Sequence, residues 1–301
     1  MKLPILGLPE EEYLYPGFAS CAGCGSFLAL RHTLKALGKN AILSIPAGCT
    51  PSVAGLFPRT SFRVSVLNIA FEAAAAGASG IAAALKAKGL KDITAVAWAG
   101  DGGTADIGIQ ALSGAAERGD DILYICYDNE AYMNTGIQRS GATPFGAITT
   151  TTPVIGKRQH KKDMPLIMAA HKIPYIATSC SSYPQDIFRK VKKASEMKGD
   201  TRYVHILCPC GPGWRFDVNR TVEIGRLAVT TGMWALYEIE NGKFSLTGPS
   251  RGLIDPSKRV PIKEYLKLQG RFARLTHEQI GALQEWINKQ WESYKRMIKL
   301  E

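Results

Sequence analysis

Two groups of residues have the types and spacing to do chemistry. The first is Gly100-Asp101-Gly102-Gly103, which follows an apolar run at 93–99 and opens a helical pattern. A glycine-rich turn between strand and helix exposes backbone N–H groups, the donors that a phosphate needs. Asn129 lies 28 positions after Asp101, just past the next apolar run at 122–127. Adjacent parallel strands would set these two loops side by side. An acid on one and an amide on the other are hard oxygen ligands for Mg²⁺, which completes its octahedron with water and substrate phosphates. A diphosphate site is the economical reading.

The second group is made of cysteines: Cys21-Ala-Gly-Cys24, Cys49 behind Ala47-Gly48, and Cys208-Pro-Cys210 behind the run 203–207. A lone C-x-x-C serves zinc, a redox disulfide or an iron-sulfur cluster. With three further cysteines at expected strand ends, four thiolates could hold Zn²⁺ or a 4Fe-4S cluster, and spacing does not separate the two. Cys126 and Cys180 read as small core residues. His32, His160, His171, His205 and His277 are scattered without metal-ligand spacing and read as structural or surface residues.

Both groups need a frame. Short apolar runs at 41–45, 64–68, 93–99, 122–127, 175–178 and 203–207 alternate with helical patterns at 26–37, 71–88, 107–118, 164–170, 185–197 and 221–232. This alternation predicts an α/β fold, a mostly parallel sheet with helices on both faces, whose ligands sit beyond the strand carboxyl ends. After Trp234 the texture changes. The segments 235–239 and 243–246 predict a hairpin around Asn241-Gly242, followed by a Pro- and Gly-containing stretch and an amphipathic helix at 276–298. The expected organisation is a cofactor-binding domain at 1–234 and a C-terminal extension at 235–301 that packs on the domain or on a partner subunit.

At these residues the chain resembles the 2-oxoacid:ferredoxin oxidoreductases, of which pyruvate:ferredoxin oxidoreductase is the best-known member. The match is to the separate thiamine-diphosphate-binding β subunit. It runs through Cys21-Ala-Gly-Cys24-Gly25, Gly48-Cys49, the nine residues from Gly100, the ten from Tyr127 to Gly136, Pro209-Cys210 with Gly213-Trp214, and 265–272. The resemblance implies that Asp101, Asn129 and the carbonyl of Ala131 bind Mg²⁺. Gly100 and the turn Gly102, Gly103 and Thr104 would hold the diphosphate, with Gly48 and Cys49 beside the cofactor and Asn134 and Thr135 facing the reacting carbons. It also implies a 4Fe-4S cluster on Cys21, Cys24, Cys49 and Cys210, with Cys208 set aside. The implied partners are a pyrimidine-binding α subunit, which brings the glutamate that acts on the cofactor ring, a ferredoxin-like subunit, and ferredoxin as electron acceptor. The implied substrate is a small 2-oxoacid, pyruvate first, with coenzyme A. One segment departs from the pattern: Cys49-Thr50-Pro51-Ser52 is more polar than in pyruvate-type subunits, which makes oxalate, oxidised without coenzyme A, an alternative.

Composition bounds these readings. The chain has 301 residues, 46% hydrophobic and 21% charged, as a soluble globular protein does. The net charge of +11 raises the question of nucleic acid. Residues 1–150 hold 11 Lys and Arg against 12 Asp and Glu, and the remainder 26 against 14, with few aromatics interleaved. That distribution is expected to serve solvated faces and acidic protein partners rather than nucleic acid, which would explain neither constellation. A non-oxidative thiamine enzyme with structural zinc is the other class to exclude. The longest apolar stretch, 71–85, is shorter than the ~20 residues of a membrane span, and residues 1–12 lack the features of a secretory leader. A cytoplasmic protein without membrane contact is expected.

Overall fold

The computed structural model describes residues 7–299. The first half of the 1–12 segment and the outermost domain limits, 1 and 301, lie outside them. Six strands, β1 (Ala41–Pro46), β2 (Ser65–Ile69), β3 (Thr94–Gly100), β4 (Ile122–Asp128), β5 (Tyr175–Cys180) and β6 (Arg202–Leu207), run parallel. β7 (Tyr237–Glu240) and β8 (Lys243–Leu246) form the hairpin. Its first arm starts two residues later than the sequence predicts, and it pairs antiparallel to β5, so one sheet in the order β2-β1-β3-β4-β6-β5-β7-β8 crosses the 234/235 boundary.

The helices are α1 (Gly25–Leu37), α2 (Cys49–Ala54), α3 (Ala74–Ala87), α4 (Asp101–Ala105), α5 (Ile109–Arg118), α6 (Met164–Ala170), α7 (Pro184–Glu196), α8 (Gly211–Trp214), α9 (Thr221–Thr230), α10 (Ile262–Leu266) and α11 (His277–Lys299). The central strands β3 and β4 are buried on both faces, which is why they read as continuous apolar runs. Their alternate side chains feed two cores. Val96, Trp98, Leu123 and Ile125 pack beneath α1 and α7, whereas Ala95, Ala97, Ala99 and Tyr124 face α3 and α5. The small residues of that second face let α3 come close: a methyl at Gly77 would lie 2.5 Å from Ser44 Oγ and 2.6 Å from Ile69 Cδ1. The helix α11 starts on a capping box, in which Gln279 N–H donates to Thr276 Oγ1 (3.2 Å) and Thr276 N–H to Gln279 Oε1 (2.9 Å).

Three helices are shorter than their patterns predict: α9 ends at Thr230 rather than 232, and the other two differences build the cavity described below. α3 begins at Ala74 rather than at 71, because Phe71, Glu72 and Ala73 form a turn that lays the Phe71 ring over Gly103. The pattern at 107–118 begins at Ile109, and Asp101–Ala105 forms its own helical turn. The basic second half is partly internal: Lys157, Lys190, Arg202 and Arg271 are each at most 2% exposed. No helix among the described residues is long and apolar enough to cross a membrane.

Candidate cofactor site

The register pairs Gly100 with Tyr127 and Asp128 with Leu207, so the loops after β1, β3, β4 and β6 open at one edge of the sheet. They enclose a cavity of about 260 Å³. Ala47, Gly48 and Cys49 form one wall; Gly100, Asp101, Gly102 and Gly103 form the floor; and Asn129 with Ala131 to Thr135 closes the far side, with Phe71 and Tyr127 between. Two of the floor glycines are closely packed by aromatic rings. A methyl at Gly102 would stand 2.4 Å from Tyr132 Cε1, and one at Gly103 would stand 3.2 Å from the Phe71 ring.

Thr104 is the exception among the turn residues. Its side chain is fully buried and its hydroxyl donates to Gly100 O (2.8 Å) and bonds Tyr124 Oη (3.0 Å), so it braces the turn from behind and does not line the cavity. Thr50 and Ser52 also turn away. Thr50 Oγ1 accepts from Trp98 Nε1 (2.9 Å), and Ser52 Oγ donates to Gly48 O (3.0 Å) within α2. Neither residue lines the cavity, although Ser52 stays exposed.

One corner of the cavity collects oxygen. A terminal atom of the Asn129 amide lies 3.0 Å from both Asp101 Oδ1 and Ala131 O. As nitrogen it satisfies both acceptors. As oxygen it stands from each of them at the ~2.9–3.0 Å that separates neighbouring ligands of an octahedron with 2.0–2.1 Å bonds, the geometry Mg²⁺ demands. Asp101 is 1% exposed. Burial, and then the neighbouring Asp128, push its carboxyl well above the usual range, while a hydrogen bond from Ser140 opposes them. A buried acid in that condition gains from a cation.

Behind this corner lies a charged cluster that sequence reasoning missed. Lys161 Nζ donates to Asp128 Oδ2 and Glu130 Oε1, both at 2.8 Å. Arg271 pairs with Glu130 Oε2 at 2.7 Å and lies 3.7 Å above the Trp214 ring centroid. His205 Nε2 donates to Asp128 Oδ2 (2.9 Å), and Trp214 Nε1 to Asn129 O (2.8 Å). Burial works against the charge on Asp128, but Lys161 and His205 outweigh it and hold the carboxyl below its ordinary range. Glu130 adopts a left-handed backbone, φ +68°, while its N–H donates to Asp128 Oδ1 (2.9 Å). The cluster thus fixes the main chain on both sides of Asn129. Its members come from segments up to 143 positions apart (Asp128 to Arg271). Asp128, Glu130, Trp214 and Arg271 fall inside stretches that carry the family resemblance, whereas Lys161 and His205 carry no such signal.

At the cavity mouth, Thr135 Oγ1 donates to Gln138 Oε1 (2.6 Å), which leaves the exposed Asn134 as the free polar side chain on that wall. Next to it Met133 turns toward the cysteine loops. A methyl at Gly213 would fall 2.2 Å from Met133 Sδ and 3.3 Å from Cys210 Sγ, so those sulfurs are no more than about 5.5 Å apart.

The cysteine loops meet across tight backbone contacts. Gly25 N–H donates to Pro209 O (3.2 Å), and a methyl at Gly25 would stand 2.6 Å from the same oxygen. Cys21 is exposed, and Cys24, Cys49 and Cys210 are half-buried. Burial, then the thiols of Cys210 and Cys24, push Cys49 up to about 12; burial, with Cys24 and Cys21, pushes Cys210 up to about 11. The four share one neighbourhood. Among the described residues, however, no three of His, Cys, Asp or Glu converge closely enough for a single metal ion. Cys208 is fully buried and donates to Ile206 O (3.3 Å), and Cys126 and Cys180 are core residues.

Residues 46–206, the stretch that supplies most of these strand ends, match the family described as thiamine pyrophosphate enzyme, C-terminal TPP binding domain. The pyruvate synthase subunit PorB of Methanothermobacter thermautotrophicus is 54% identical over 285 residues, covering 93% of this chain and 96% of that protein. The ketoisovalerate oxidoreductase subunit VorB of Pyrococcus abyssi is 49% identical over 306 residues, covering 98% and 96%. Among solved structures, a 2-oxoglutarate:ferredoxin oxidoreductase from Magnetococcus marinus, with 2-oxoglutarate, coenzyme A and succinyl-CoA bound, has the same fold at a TM-score of 0.57 and 22% identity, over 71% of this chain and 79% of that one. The oxygen triangle, the glycine floor and these relatives lead to one conclusion: the chain belongs to the family of thiamine-diphosphate-binding β subunits of the 2-oxoacid:ferredoxin oxidoreductases.

Proposed function

We propose that this chain supplies the diphosphate- and cation-binding half of a thiamine site in a multi-subunit enzyme that oxidatively decarboxylates pyruvate with coenzyme A and passes the electrons to ferredoxin. The observation that carries it is the triangle of Asp101 Oδ1, the Asn129 amide and Ala131 O above the glycine floor. Asp101, Asn129 and Ala131 O would hold Mg²⁺, and the backbone N–H groups of Gly102 to Thr104 the diphosphate. Thiamine diphosphate, when bound, supplies the electron sink for loss of carbon dioxide from a 2-oxoacid. Asn134 donates from the mouth to the substrate oxygens, and Phe71, Tyr132 and Met133 keep water from the reacting carbon.

Cys21, Cys24, Cys49 and Cys210 would hold a 4Fe-4S cluster, which carries single electrons away. The relatives named as subunits of pyruvate synthase and ketoisovalerate oxidoreductase, both redox enzymes, support a cluster over structural zinc. The raised thiols of Cys49 and Cys210 ionise only beside strong positive charge, which the irons provide. The catalytic glutamate and the further clusters would come from partner subunits, and the complex would work in the cytoplasm.

A branched 2-oxoacid is the second reading, supported by the ketoisovalerate oxidoreductase relative at 49% identity. The apolar wall suits either alkyl chain. The native complex should be assayed for viologen reduction with pyruvate, ketoisovalerate, 2-oxoglutarate and oxalate, each with and without coenzyme A. Coenzyme-A-dependent reduction with pyruvate is expected; reduction with oxalate alone would overturn the reading.

A further inference from the structure

Ser140 stands outside every motif described above, in the irregular stretch between β4 and α6, yet it is fully buried. Its hydroxyl donates to Asp101 Oδ2 at 2.5 Å. The other carboxylate oxygen, Oδ1, is the one that lies 3.0 Å from the Asn129 amide. Rotation of the carboxylate would exchange the two oxygens or turn both out of the triangle, and the Ser140 bond fixes the plane.

Ser140 is itself held. Its N–H donates to Thr143 Oγ1 (2.9 Å), and its Oγ accepts from Ala142 N–H (3.2 Å). Thr143 Oγ1 donates in turn to the carbonyl of Glu130, the residue between Asn129 and Ala131 (2.7 Å). Gly141 N–H donates to Asp106 Oδ2, which also accepts from the hydroxyl of Tyr132, the residue after Ala131; both bonds are 2.8 Å. The turn 140–143 therefore touches Asp101 directly and the chain on both sides of Ala131. Lys157, only 2% exposed, locks the turn by donating to Gly141 O (3.0 Å) and Thr143 O (2.6 Å). A buried ammonium spent on two carbonyls of one turn is a costly device unless the turn must be held in place.

We infer that Ser140 is a positioning residue for the divalent cation, setting Asp101 Oδ1 at its ligating angle, and that Lys157 rigidifies the turn that carries it. The inference rests on the cation reading proposed above, and the test separates the two. Partners that orient a metal ligand typically carry about 10–100-fold in metal affinity.

The experiment is Mn²⁺ binding to the native complex, freed of divalent cations and supplied with thiamine diphosphate, read from the EPR signal of free Mn²⁺. Wild type, Ser140→Ala, Ser140→Thr, Lys157→Met and Asp101→Asn are compared, and the unfolding midpoint of each cation-free complex is recorded. Asp101→Asn is expected to lose Mn²⁺. Ser140→Ala should bind it about 10–100-fold more weakly, with a cation-free midpoint near that of wild type, and Ser140→Thr, which keeps the hydroxyl, should recover most of the affinity. If Ser140→Ala does not assemble, Lys157→Met carries the test through a smaller weakening in the same direction. Wild-type Mn²⁺ affinity in Ser140→Ala, or in Lys157→Met in its place, would overturn the inference while leaving the cation reading intact. So would a lowered cation-free midpoint with unchanged affinity. Retained Mn²⁺ binding in Asp101→Asn would overturn both.

Discussion

The two ends of the cavity treat buried charge in different ways. Around Asn129 the chain supplies its own counter-charges: Lys161 and Arg271 meet Asp128 and Glu130, and Ser140 takes one oxygen of Asp101. Around Cys49 the main influences on the thiol are burial and the thiols of Cys210 and Cys24, all of which disfavour ionisation, and the cation that reaches Cys210, Arg271, is already paired with Glu130. The first region is preorganised around the oxygen corner proposed above to take a cation. The second is shaped by backbone contacts at Gly25 and Gly213, and its thiols wait for a positively charged partner. Preorganised oxygen and unfinished sulfur lie on either side of Met133.

The largest effect expected from this contrast is at the sulfur end. Cys210→Ser should strip iron from the complex and bleach its visible absorbance, whereas Cys208→Ser should leave both at wild-type level, because Cys208 faces Ile206 O in the core. Iron analysis of the two purified complexes decides it, and equal iron in both would erase the distinction. At the oxygen end, Lys161→Met removes the cation shared by two buried carboxylates. Breaking such a pair costs about 3–5 kcal/mol, which should show as a lower denaturant midpoint while iron content is kept.

How far the sequence anticipated this molecule differs between the same two regions. The strand and helix alternation, the glycine floor and the cysteine positions were all readable, because each is a local pattern with a period or a fixed spacing. Ser140, Lys161 and Arg271 were not. They lie outside the periodic strands and α-helices, and their meaning comes from contacts with residues 31 to 141 positions away, such as Lys161 on Glu130 and Arg271 on Glu130. The directions of the Thr104 and Thr50 hydroxyls were hidden for a related reason. Their types suit a binding loop, but Thr104 bonds back to Gly100 O and Thr50 accepts from Trp98, and no one-dimensional pattern shows which way a hydroxyl turns. The start of α3 was misplaced because an apolar Phe71 fits a helical face as well as a cavity wall.

Two smaller effects would sharpen the contrast. Gly213→Ala forces a methyl between Met133 Sδ and Cys210 Sγ. Overpacking of this kind costs about 1–3 kcal/mol, and a lower unfolding midpoint with partial loss of iron but intact Mn²⁺ binding would show that the strain stays at the sulfur end. The smallest effect concerns pH. His32 lies on α1, the helix that starts directly after Cys24, and burial, with Arg31 and Lys35, pushes it down from 6.5 to about 4. Between those values the unfolded chain binds a proton that the folded chain refuses, so stability falls as pH is lowered from 6.5 toward 4. His32→Leu should flatten that part of the midpoint-against-pH curve, and an unchanged curve would remove His32 as the cause.

The most direct test of the central claim, that a cation-held thiamine site and a cysteine-held cluster share this chain, is anaerobic addition of pyruvate and coenzyme A to the native complex, with cluster reduction followed by EPR. Reduction is predicted in wild type and in Cys208→Ser, and is predicted to vanish in Asp101→Asn, where the cofactor loses its cation, and in Cys210→Ser, where the acceptor is gone. Undiminished pyruvate-driven reduction in Asp101→Asn, or a full complement of iron in Cys210→Ser, would contradict it.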